Sequence, residues 1–163
     1  TGLSSGTSGQ FLKFTGSTTL ASAADSGKVL QVVKSELANT TYTTSSSHGD
    51  VLSANITCSN SNNYIFAIAA LGTDMYGQSS SEPQGAIRMK FGSSNKADIP
   101  LRSDVGTSQY DRDSNILTAY EQAGSTSQIT VTITTACDSG RVGLWGTDGH
   151  SGATVLTLME ISA

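Results

Sequence analysis

Charge is scarce in this 163-residue chain: 13% of it is Asp, Glu, Lys or Arg, and the nine basic residues are scattered singly. With a formal net charge of −4 there is no basic stripe for a phosphate backbone or an anionic membrane surface, so nucleic acid is not expected as a partner. Long apolar runs are also missing. The longest, Tyr64 to Leu71, falls far short of the ~20 residues that cross a bilayer, so it reads as a buried strand and membrane insertion is not expected. Only two cysteines are present, which excludes a disulfide framework. Cys58 and Cys137 each close a strand and read as buried thiols, with a bridge between them left open. The chain opens at Thr1 without a basic or apolar leader of the secretory kind, so Thr1 reads as a processing point or boundary.

Histidine is the scarcest of the groups that acid–base chemistry needs. His48 in Ser47-His48-Gly49-Asp50 and His150 in Asp148-Gly149-His150-Ser151 each have a carboxylate two residues away. Both lie in Gly-containing turns, where Asp and Gly serve the backbone. No catalytic residue, enzymatic activity or cofactor is expected.

What the chain has in abundance is hydroxyl and glycine: Ser and Thr together number 47, and Gly 17. This suits strands and turns and disfavours long charged helices. From Thr1 to Ser26 nearly everything is small or polar, so residues 1–26 form an extended leader or stem that buries no core of its own. Either it is a flexible linker or its few apolar side chains, among them Phe11, Leu12 and Phe14, pack against other copies of the stem, the reading that Gly9 to Phe14 favours. Residues 27–163 form the head.

There, short segments alternate with period 2 between clusters of Gly, Ser, Asn and Asp. Strands are expected over Lys28–Leu37, Asn39–Ser46, Asp50–Cys58, Tyr64–Leu71, about Ile87–Phe91, Asn115–Glu121, Gln128–Ala136, Arg141–Trp145 and Ala153–Ile161. Such a set predicts an all-β, two-sheet antiparallel sandwich, jelly-roll-like. Gly72–Gln84 and Ser93–Asn115 read as long loops, where binding should reside.

Aromatic side chains on loops can stack on the C–H face of a pyranose, which nominates Tyr76, Tyr110 and Trp145. Of these, Trp145 also fits core or inter-subunit packing. His150 joins them as a ligand-binding candidate, and a single His per chain could coordinate a metal if three copies met on a three-fold axis. Asp111-Arg112-Asp113-Ser114-Asn115 copies the opening of a calcium loop, but Ile116 stands where Gly is needed and no Glu closes it. No metal is expected, with Asp111, Asp113 and Asn115 kept as weak candidates.

Two stretches carry a resemblance. Gly6-Thr7-Ser8-Gly9-Gln10-Phe11-Leu12-Lys13-Phe14, followed by Gly27-Lys28-Val29-Leu30-Gln31-Val32-Val33, is similar to the linker and opening strand of the C-terminal β-sandwich domains of tailed-bacteriophage tail fibres and related virion appendages. Ser151-Gly152-Ala153-Thr154-Val155-Leu156-Thr157-Leu158-Met159-Glu160-Ile161 resembles the terminal strand of the same family. The resemblance implies a homotrimeric jelly-roll-like head on an intertwined stem, at the virion surface, touching other virion proteins and a host-surface glycan or protein. A capsid decoration or head-fibre protein, or a cellular lectin-like module, would fit the same composition.

Overall fold

The computed structural model describes residues 10–14 and 20–24 as backbone, and 26–78, 82–104, 106, 108–148 and 152–163 in full. Among these there is no helix. In the leader, β1 (Gln10–Phe14) pairs antiparallel with β2 (Leu20–Ala24). The expected stem contacts of Phe11, Leu12 and Phe14 concern side chains outside the described residues.

The head begins with β3 (Val29–Glu36), a short β4 (Thr41–Thr43), β5 (Gly49–Thr57) and the long β6 (Tyr64–Tyr76). It continues with β7 (Gln84–Phe91), β8 (Ser94–Arg102), β9 (Tyr110–Gln122), β10 (Gln128–Ser139), β11 (Arg141–Leu144) and β12 (Val155–Ile161). One sheet runs β5-β10-β7-β8. In the other, β6 is the spine: β9 pairs along one edge over its whole length, while β12 and then β11 share the opposite edge, backed by β3 and β4. Setting aside the short β4 and β11, the remaining eight strands stand in the orders first-eighth-third-sixth and second-seventh-fourth-fifth. That is the double Greek key of a jelly roll.

Alternation decides which side chains go inside. Ile65, Ala67, Ala69 and Leu71 of β6 meet Ile56 of β5, Ile87 and Met89 of β7, Val131 and Ile133 of β10, and Leu156 and Leu158 of β12, all buried in one core. Each of the larger ones contributes about 1.5–3 kcal/mol by leaving water.

The two outer faces differ in chemistry. On the β5-β10-β7-β8 sheet the outer residues are hydroxyls, amides and ion pairs: Ser53 with Thr132 (3.0 Å), Thr130 with Asn55 (2.7 Å), Arg88 with Asp98 (2.7 Å). On the β6 sheet the outer face carries all five tyrosines of the chain, Tyr42, Tyr64, Tyr76, Tyr110 and Tyr120, by the register of β4, β6, β9 and β11.

The last strand is pinned by a buried carboxylate. Glu160 accepts hydrogen bonds from Gln31 Nε2 (2.6 Å), Ser59 N and Oγ (2.7 Å each) and Asn63 Nδ2 (2.6 Å). Burial pushes its pKa up, but the hydrogen bonds from Asn63, Ser59 and Gln31 outweigh burial and hold it at about 2, against 4.5 ordinarily.

Both expected loops contain strand. β6 runs on through Tyr76, and Ser93–Asn115 contains β8 and the first half of β9. Their residues were hard to read because β9 from Tyr110 to Ser114 is exposed on both faces, and because Pro100 stands in β8. Among the described residues β8 pairs only with β7, so it is an edge strand, where Pro leaves no ladder bond unmade.

Candidate functional site

The chain enters and leaves the head at one end: Gly27 N donates to Ser162 O (2.9 Å), and Ser162 N donates to Lys28 O (2.9 Å). The β6–β9 pair carries the sheet away from that end for 13 residues, about 40 Å at ~3.3 Å per residue. At the far end two rows of side chains cross the outer face. One is Arg141–Tyr76–Tyr110 across β11, β6 and β9, and the next is Tyr42–Gly143–Asp74–Arg112 across β4, β11, β6 and β9.

These rows interlock through π systems. The Tyr76 and Tyr110 rings are 4.5 Å apart and tilted, as cross-strand aromatic neighbours should be. The Arg141 guanidinium lies 4.1 Å from the Tyr42 ring centre and 4.9 Å from that of Tyr76, and the Arg112 guanidinium lies 5.1 Å from that of Tyr110. Gly143 makes this possible. A Cβ there would come within 2.5 Å of the Tyr42 ring, so only glycine lets the ring lie across β11.

Beneath the cluster sits Asp74, 1% exposed. Among the described residues neither of its carboxylate oxygens accepts a hydrogen bond, and its nearest cation, Arg112 Nε, is 3.6 Å away. Arg141 Nε is likewise buried without an acceptor. A buried carboxylate short of donors is costly to hold, and the site therefore presents acceptor capacity at its floor and donor capacity in its walls.

Of the residues nominated from sequence, Tyr76 and Tyr110 meet directly. Trp145 stands one row nearer the Gly27–Ser162 end, its Cε3 2.7 Å from where a Cβ on Gly72 would lie. These three share the outer face of one sheet instead of a set of loops; the fourth, His150, lies outside the described residues. Asp74, Arg112 and Arg141 were not foreseen. The available signal was an acid, Asp74, soon after the apolar run Tyr64–Leu71.

Asp111, Asp113 and Asn115 occupy alternate positions of β9, around a depression also lined by Thr73, Met75 and Arg102. They form paired strand instead of a calcium-type loop, and Asn115 Nδ2 donates to Thr73 Oγ1 (3.1 Å). Among the described residues no three His, Cys, Asp or Glu side chains are grouped to hold a metal ion. His48 Nδ1 lies 3.0 Å from Thr134 Oγ1, and burial lowers its pKa. Cys58 and Cys137 are free and buried, and burial pushes both thiols up.

No protein-family model matches the chain, and no curated protein matches it. Solved structures similar to it include the VP2 subviral particle of infectious bursal disease virus, at a TM-score of 0.43 and 12% identity over 93% of this chain and 41% of the VP2 chain. VP2 from T=1 particles of the same virus gives 0.40 and 11% over 93% and 40%, and the Gx strain gives 0.37 and 12% over 90% and 40%. The chain thus spans about two fifths of the length of these neighbours. The jelly roll stands on its own strand order.

Proposed function

We propose that this chain is a non-enzymatic virion structural protein, the homotrimeric head of a tail fibre or related appendage, which attaches to a host-surface glycan through the Tyr42, Tyr76, Tyr110, Arg112 and Arg141 cluster over Asp74. The observation that carries this reading is the position of the cluster, at the opposite end of the sheet from Gly27, where the head begins. A stem attached at Gly27 would hold that end outward, toward whatever the particle meets.

The chemistry suits a saccharide. Tyr110, 49% exposed, offers a ring to the C–H side of a pyranose. Vicinal hydroxyls can donate to the Asp74 carboxylate once the half-exposed Arg112 side chain swings aside, and the freed guanidinium then donates to sugar oxygens. Such sites are individually weak. Three on one head, repeated over several fibres, raise the effective affinity by orders of magnitude without a new contact. Jelly rolls serve both viral capsids and lectins, so the fold accommodates the role without specifying it.

The test is a glycan array probed with the full chain, followed by titration of the best ligand against Tyr110→Ala and Asp74→Asn. Each substitution should weaken binding about tenfold or more, corresponding to ~1.4 kcal/mol. Absence of any glycan binding, or binding indifferent to both changes, would remove the assignment.

A further inference from the structure

The half of the same face nearest the leader has a different character. Val32 of β3, Met159 of β12, Phe66 of β6 and Tyr120 of β9 stand in one unbroken row across four strands. Tyr64 stacks on Tyr120 with ring centres 4.8 Å apart, and Ile116 lies two rows further on, 70% exposed. Val32 is 58% and Tyr120 55% exposed. A solvated antiparallel sheet alternates polar residues outward, as the opposite sheet of this sandwich does. An outward row of Val, Met, Phe and Tyr has the composition of a protein interface.

We infer that this leader-proximal half of the β3-β12-β6-β9 face packs against a second copy of the chain, an inference that rests on the homotrimeric reading above and names its contact surface. Three observations favour a copy of itself over another partner. The first is extent. From Tyr64 to Ala70 along β6, at ~3.3 Å per residue and ~4.8 Å between four strands, the flat footprint is about 440 Å² per copy. That matches the roughly 300–600 Å² of the largest patch on a typical monomer, which is often functional, and is about half of the roughly 800 Å² a copy contributes to a standard interface before side-chain relief is added.

The second is charge. Although the chain carries −4 overall, the charged residues beside these rows, Lys34 and Glu36, are bonded to each other at 2.5 Å. The surface therefore neither repels its own copy nor attracts a charged partner. The third is position. The face abuts Gly27, where the leader joins, so a stem that gathers copies delivers these surfaces to one another at high effective concentration.

The experiment is sedimentation velocity with light scattering on the full chain, its Val32→Glu and Tyr120→Lys variants, and Lys90→Glu on the opposite sheet as control. Val32 and Tyr120 are more than half exposed, so neither change opens the core, and far-UV circular dichroism checks that each variant stays folded. A trimeric parent and control, with self-association at least about tenfold weaker in Val32→Glu and Tyr120→Lys, is the expected result. A trimeric parent whose two variants remain equally trimeric would overturn this face while leaving trimerisation standing. A parent dimer lost in both variants would support the face and overturn the three-fold reading. A monomeric parent would overturn both.

Discussion

Replacing Glu160 by Gln removes a negative charge that four donors address and turns one oxygen into an N–H group facing a donor. The fall in pKa from 4.5 to about 2 fixes the scale. At about 1.4 kcal/mol for each pH unit, it corresponds to roughly 3 kcal/mol of native stability, a large share of the ~5–15 kcal/mol of a typical domain. The carboxyl titrates lower in the folded chain than in the unfolded one. Its contribution is therefore complete above about pH 4.5 and disappears as pH falls toward 2.

The variant should accordingly lose about 2–4 kcal/mol at neutral pH, and the gap between the two chains should close across that acid window. Urea unfolding at a series of pH values, at one fixed protein concentration so that any assembly contributes equally, measures both quantities. A variant as stable as the parent at neutral pH, or a gap that persists unchanged at the acid end, would refute the claim that this carboxylate pins β12.

Other outcomes follow from packing. Ile133→Ala, in the centre of the core at 0% exposure, should cost about 2–5 kcal/mol in the same assay. Gly143→Ala should push the Tyr42 ring off β11, weakening ligand binding in titration more than it lowers the melting temperature. Gly72→Ala should destabilise by about 1–3 kcal/mol, because its Cβ would come within 2.2 Å of the Gly152 carbonyl oxygen, and backbone cannot step aside as a ring can. Cys58 and Cys137 should stay unreactive toward a thiol reagent until the chain is unfolded, as buried thiols whose ionisation is suppressed.

The sandwich was legible wherever one face was apolar and the other polar. Leu52, Ala54 and Ile56 set against Ser53 and Asn55, or Val131 and Ile133 against Thr130 and Thr132, each declare a half-buried strand and its inward side. The far ends of β6 and β9 carry no such contrast. Tyr110 to Ser114 is exposed throughout, and Asp74 is polar yet buried, so their pairing is imposed by the ladder already running from Tyr64 to Leu71. That is also why Tyr76 and Tyr110 could be nominated as surface aromatics but not brought together from sequence. Which residues sit opposite each other is a matter of register, and Asp74, Arg112 and Arg141 acquire their meaning only through it. The outward row of Val32, Met159, Phe66 and Tyr120 was hidden for the same reason, with one member on each of four strands.

The way the chain joins the head bears on how it would carry load. A pull between a tethered leader and a ligand held at the distal cluster runs parallel to the strands. The first element to feel it is β3, whose sheet pairing among the described residues is to β12 alone, over Val29 to Glu36. Force in that direction slides one strand along the other, so the ladder bonds share the strain and yield together instead of opening one at a time from an end. Because β12 is flanked by β6 on its other side and anchored through Glu160, the strand that β3 is dragged against is itself held fast. A head wired in this manner would resist a pull on its leader far better along its strands than across them.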